Sequence, residues 1–195
     1  PRSTQSRSSA ASDVYKRQKY AFLTKGVGIS KEKLTSFEMS LRDAGIAEYN
    51  IVKVSSIMPP QCKIISKKEG LKMLSAGQII FVVLSECSTN EPGRKVASSV
   101  GFALPKDRAH HGYLSEHHSY GQSKKDAGEY AEDLAAQMLA TTLGAPFDFD
   151  KNYNQQKDIW KIGGHTVNTK AITSYAEGPK NKNWVTVVTA MVLVI

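Results

Sequence analysis

Cysteine is scarce in this 195-residue chain: Cys62 and Cys87 are the whole complement. Neither sits in a CxxC pair, so neither a disulfide framework nor a zinc ribbon is expected. No apolar run reaches the ~20 residues that a membrane helix needs. The most apolar stretch, Trp184 to Ile195, is short and rich in β-branched residues, and it reads as a buried strand. There is no HExxH pattern. The adjacent pairs His110-His111 and His117-His118 would point to opposite faces of a strand, so no metal site is expected. Gly26-Val-Gly28 is too short for a phosphate-cradling loop and reads as a turn. No repeat of 20–50 residues is present.

Charge of one sign is in excess, at +8, but it is unevenly placed. Residues 1–19 hold Arg2, Arg7, Lys16, Arg17 and Lys19 against Asp13, a net +4. The remaining +4 is spread through interspersed Lys and Glu, with no Arg-rich stripe or interleaved aromatics. A nucleic-acid partner is therefore not expected. Residues 1–18 are Ser-rich, basic and without apolar periodicity or a signal-peptide core. They are set aside as a disordered or non-native tail. A single domain is expected over residues 19–195, in a cytoplasm that keeps both thiols reduced, with no membrane association.

The composition, 41% hydrophobic and 23% charged, is that of a globular protein. Tyr20 to Thr24 predicts a strand. Ser30 is a candidate N-cap for a helix through Ala44, with Leu34, Phe37, Leu41 and Ala44 on one face and Gly45 as C-cap. Residues 49–55 predict a strand that Pro59 and Pro60 halt, because proline cannot donate to a ladder. Residues 78–85 predict a strand buried on both faces, 95–104 another, and 112–118 a short one. Ser123 caps a second long helix whose inner face is Ala127, Ala131, Leu134, Ala135, Met138 and Leu139. Residues 166–175 and 183–195 predict a final strand pair. Sequential βαβ alternation is missing, so an α+β fold with helices on a mixed or antiparallel sheet is expected.

The stretch Asn50-Ile-Val-Lys-Val-Ser-Ser-Ile-Met-Pro-Pro60 is the most informative. A serine pair by itself is ordinary turn chemistry. Taken in order with Gly26–Gly28, Asp43-Ala-Gly-Ile46, Ala103-Leu-Pro-Lys-Asp107 and Gly112-Tyr-Leu-Ser-Glu116, it resembles the pyruvoyl-dependent arginine decarboxylases. The resemblance runs from about Tyr20 to Ile195. It implies a four-layer αββα sandwich and a homotrimer with active sites between neighbouring subunits. It also implies self-cleavage into a β chain ending at Ser55 and an α chain starting at Ser56.

The implied chemistry is specific. Ser56 Oγ attacks the Ser55 carbonyl, the resulting ester eliminates, and residue 56 becomes a covalent pyruvoyl group. That group serves as a built-in cofactor, without PLP or metal, forming a Schiff base with L-arginine on the way to agmatine and carbon dioxide. The resemblance gives Asn50 the support of the cleavage oxyanion and Glu116 the return of a proton to carbon. A carboxyl in that role must keep its proton near neutral pH, so Glu116 is expected to be buried. Glu38 matches the acidic residue that receives the guanidinium, with Leu34 and Leu41 beside it. The family's aspartate is here a glutamate, one methylene longer. Two alternatives stand: decarboxylation of another amino acid, which acidic Glu38 disfavours for aspartate, and a basic binding module that keeps the fold without processing.

Overall fold

The computed structural model describes residues 18–146 and 167–195. The expected tail, residues 1–18, lies outside the described residues except for Gln18, and Thr166 of the expected strand also lies outside them. The elements run in the order β1 (Tyr20–Ser30), α1 (Lys33–Ala44), β2 (Asn50–Lys53), β3 (Ile57–Met58), β4 (Lys63–Ile64) and α2 (Lys67–Leu71). There follow β5 (Ile79–Thr89), β6 (Lys95–Pro105), β7 (Gly112–Tyr120), α3 (Lys124–Thr142), β8 (Val167–Glu177) and β9 (Trp184–Val194). This is an α+β fold with two sheets. The first has the order β2-β5-β9-β1-β4 and the second β3-β7-β6-β8. The first is mixed, because β2 runs parallel to β5 and β4 parallel to β1. The second is antiparallel throughout.

Helix α1 packs on β1 and β9 of the first sheet, and α3 packs on β6, β7 and β8 of the second. Between the sheets lie Ala21, Met58, Val83, Val100, Leu114 and Met191, all fully buried. Each of the Val, Leu and Met side chains among them stabilises the fold by about 1.5–3 kcal/mol. Strands β5 and β9 alternate between this layer and a second cluster under α1 that includes Ile80, Val82, Val188 and Val192. That double burial explains their nearly unbroken apolar runs.

Several sequence expectations are corrected. Gly26 and Gly28 lie inside β1 rather than in a turn. A Cβ on Gly26 would meet the Ser40 carbonyl and the Ala44 amide, and one on Gly28 would meet the Ser36 carbonyl and the Ser40 amide. The two glycines therefore let the α1 backbone settle directly onto the strand. For the same reason α1 buries Ser36, Ser40, Leu41 and Ala44, while Leu34 is 79% exposed. Ser30 ends β1 instead of capping α1, whose N-cap is Glu32. Gly45 does close α1 in the left-handed conformation, φ 74°. Strands β8 and β9 do not pair: β8 joins β6 in the second sheet, and β9 lies between β1 and β5 in the first. On α3, Ser123 accepts from the Asp126 amide as a cap, and Ala127, Ala131, Ala135 and Leu139 form the buried face.

Candidate active site

The Ser55-Ser56 pair forms the corner between the two sheets. Strand β2 is the edge of the first sheet and β3 the edge of the second. The ladder continues one residue past β2, where the Val54 amide donates to Val82 O at 2.9 Å. The chain then crosses over and descends as β3 beside β7, with Ile57 opposite Tyr113 and Met58 opposite Gly112. Pro59 ends that descent, since it has no N–H for the ladder.

Three hydrogen bonds hold the corner. The Ile57 amide donates to the Ser55 carbonyl oxygen at 2.9 Å, a tight three-residue turn centred on Ser56. The Leu114 amide donates to the Ser56 carbonyl oxygen at 2.8 Å. The Ser56 hydroxyl donates to Glu116 Oε2 at 2.9 Å. Their chemical sense is consistent. The Ile57 N–H polarises the carbonyl next to the Ser56 hydroxyl, and the Glu116 carboxylate can take that hydroxyl's proton. The residues also fit a pyruvoyl group at position 56: the carbonyl that would flank its ketone is the one anchored by Leu114.

Above the corner, β2 has ended and β3 covers no more of β7 than its first two residues, so the upper halves of β5 and β7 are free edges. A cleft of about 500 Å³ opens there, against the first turns of α1. Leu34 and Phe37 contribute apolar surface, and Glu86, His118 and Tyr120 contribute polar groups. His118 and Tyr120 follow Glu116 at two-residue steps, so all three lie on one face of β7, each ~7 Å along the strand from the last. Glu86 is paired with Lys53 at 3.3 Å, both side chains about half exposed. Tyr120 donates to Ser88 O at 3.1 Å. Its phenol is raised above the ordinary value, first by its hydrogen bond with Cys87 and then by burial.

The structure brings Ser55, Ser56 and Glu116 together and places the other expected residues elsewhere. Asn50 begins β2, and its side-chain amide donates to Gly77 O at 2.7 Å. Five residues of extended chain separate it from Ser55, roughly 16 Å. Glu38 is paired with Arg42 one turn along α1. Leu34 lines the cleft, whereas Leu41 is packed in the cluster under α1. Glu116, expected to be buried, is exposed in the single chain, because β3 is too short to cover the upper part of β7. Sequence reasoning missed the Ile57 amide, which has no residue signature, and Glu86. A single carboxylate in the otherwise uncharged strand β5 was the available signal for the latter. Among the described residues, no three His, Cys, Asp or Glu side chains are grouped to hold a metal ion.

Residues 20–195 match the family described as pyruvoyl-dependent arginine decarboxylase (PvlArgDC). A pyruvoyl-dependent arginine decarboxylase of Nitrosopumilus maritimus is 52% identical over 177 residues, covering 91% of this chain and 97% of the relative. A counterpart from Methanococcoides burtonii is 50% identical over 177 residues, covering 91% and 98%. A probable pyruvoyl-dependent arginine decarboxylase of Chloroherpeton thalassium is 55% identical over 172 residues, covering 88% and 94%. With its serine pair at the corner between two sheets and a carboxylate on the second serine, this chain belongs to the pyruvoyl-dependent arginine decarboxylase family.

Proposed function

We propose that this chain cleaves itself between Ser55 and Ser56 and, with the pyruvoyl group formed at residue 56, converts L-arginine to agmatine and carbon dioxide. The observation that carries this is the 2.9 Å contact of Ser56 Oγ with Glu116, made where the Ile57 amide holds the Ser55 carbonyl.

Glu116 takes the hydroxyl proton as Ser56 Oγ bonds to the Ser55 carbonyl carbon, and the Ile57 N–H stabilises the oxyanion. Loss of the Ser56 nitrogen from that carbon leaves an ester. Removal of the Ser56 α-proton then expels Ser55 as a carboxylate, and water replaces the nitrogen at residue 56 as ammonia. The pyruvoyl group supplies a ketone for the substrate amine and an amide carbonyl that takes up the electron pair left by carbon dioxide. Glu116 holds the proton that returns to the substrate carbon. Glu86 and Glu38 are the carboxylates available to the guanidinium, and Leu34 and Phe37 face its methylenes. Exclusion of water strengthens each of these contacts.

The finer parts of the proposal are an αββα four-layer arrangement, a homotrimer and a cytoplasmic setting. The layering is supported by α1 on one sheet and α3 on the other. A neighbouring subunit over the corner is supported by the exposure of Leu34 and Glu116, and it would give Asn50 a site to act on in another copy. The two free, buried thiols suit a reducing compartment. Among the described residues no helix is long and apolar enough to cross a membrane.

The test is denaturing mass spectrometry of the purified protein, followed by incubation with arginine, aspartate and histidine. Two chains meeting at residues 55 and 56, with agmatine formed from arginine, are expected. An intact chain with no carbon dioxide release, or turnover of another amino acid without arginine, overturns the proposal.

A further inference from the structure

The sandwich has a second opening, on the edge away from the serine corner. Strands β2 and β3 form one pair of sheet edges, and β4 and β8 form the other. Between β4 and β8 the sheets part, and a cleft of about 870 Å³ reaches the layer between them. Its floor is Leu23, Phe102 and Leu104. Its rim carries Lys63, Arg108 and Lys170, with no carboxylate among the described lining residues. None of the three cations has an ion-pair partner among the described residues.

Arg108 is held in place. Its guanidinium donates to the Cys62 carbonyl, and its own carbonyl accepts from the Gln61 amide at 2.9 Å. One face of the fork is thereby fixed, while the remaining N–H groups stay available. A fixed planar fork is suited to a carboxylate or phosphate. A further recess beside β8 carries Lys25, Lys124 and Lys125 together with Glu132, so the one-signed lining among the described residues belongs to the cleft between β4 and β8. Clefts lined by one sign of charge with low-dielectric walls concentrate the opposite ion.

We propose that the cleft between β4 and β8 binds a small organic anion with an apolar body, its acid group on Arg108, Lys63 and Lys170 and its body on Leu23, Phe102 and Leu104. Carboxylates and phosphate monoesters share this chemistry. Titration calorimetry on the full chain with octanoate, octyl phosphate and octanol distinguishes them. At least one anion binds saturably with one site per chain, and the preferred one names the acid group. Octanol binds at least about tenfold more weakly, and K63Q and K170Q each raise Kd for the anion by about tenfold. Both lysines are exposed, so these variants fold, and unchanged melting checks it. Equal affinity for octanol, no saturable heat from either anion, or unaltered affinity in K63Q and K170Q overturns the site. So does a change of assembly state in those variants without a change in anion affinity, which would assign the surface to a second copy of the chain.

Discussion

The Ser56 hydroxyl and the Glu116 carboxylate meet at 2.9 Å although they are 60 positions apart in the chain, because β3 lies beside β7 and leaves Ser56 opposite Leu114, one two-residue step from Glu116. The hydroxyl is the nucleophile in the proposed cleavage. Ser56→Ala should therefore remain a single chain of 21.4 kDa on a denaturing gel and release no carbon dioxide from arginine. Fragments joined at residue 55 in that variant would remove Ser56 from the mechanism.

Glu116→Gln keeps a hydrogen-bond acceptor for Ser56 but cannot take its proton. Loss of a positioned base costs about 10²- to 10⁴-fold. Time courses of cleavage should slow by at least about a hundredfold, and the processed fraction should decarboxylate arginine slowly as well. Cleavage at the normal rate would restrict Glu116 to the second reaction.

The two carboxylates available to the guanidinium differ in position. Glu86 lines the cleft beside Leu34, whereas Glu38 is turned to Arg42. Glu86→Gln should raise KM for arginine by about tenfold with a smaller change in kcat, the pattern of lost ground-state binding. Steady-state kinetics on both glutamine variants decide between them. A KM effect confined to Glu38→Gln would show that Glu38 turns away from Arg42 when substrate binds.

Gly28 lies under α1 at a contact with no room for a methyl group. Gly28→Ala should push the helix off β1 and destabilise the protein by about 2–3 kcal/mol. A thermal melt should show a fall of about 5–10 °C. An unchanged melt would mean that the helix can shift without loss.

Burial pushes the Cys62 thiol up to about 11 and also raises Cys87. At pH 8 the Cys62 thiolate is then roughly one part in a thousand, so iodoacetamide should label neither cysteine until the protein is denatured. The sign of the linked stability follows. A thiol raised from 9.0 to about 11 favours the fold fully below pH 9, and that contribution is lost as pH rises to about 11. Melting temperature should fall across that interval, and less steeply in Cys62→Ala.

The parts of the fold legible in the sequence were those with long, regular signals. The apolar runs of β5 and β9 and the alanine-rich face of α3 required no partner to be recognised. The face of α1 was read in part: Phe37, Leu41 and Ala44 pack as expected, but Leu34 is exposed and Ser36 and Ser40, which look like solvent-facing residues, are buried. They are buried against Gly26 and Gly28, and recognising that requires knowing which strand lies beneath. Strands β3 and β4 have two residues each, too few for any periodicity. At the site, Ser55, Ser56 and Glu116 stood out through the ordered motifs, but the contact between Ser56 and Glu116 depends on tertiary pairing. The Ile57 amide is a backbone group and is invisible in any residue pattern.

Strand β1 belongs to the segment before Ser55, yet it lies between β9 and β4 and pairs with β9 along all of its eleven residues. A cut at the corner therefore leaves the amino-terminal piece embedded in the sheet, with α1 seated on it. The proposed product is one body while folded and two molecules once unfolded. Refolding becomes a second-order event that depends on concentration, and the carboxyl end at residue 55 no longer has a peptide to rebuild. Under the proposed cleavage folding precedes the cut, and a cut protein that unfolds keeps its break and must bring two pieces together again.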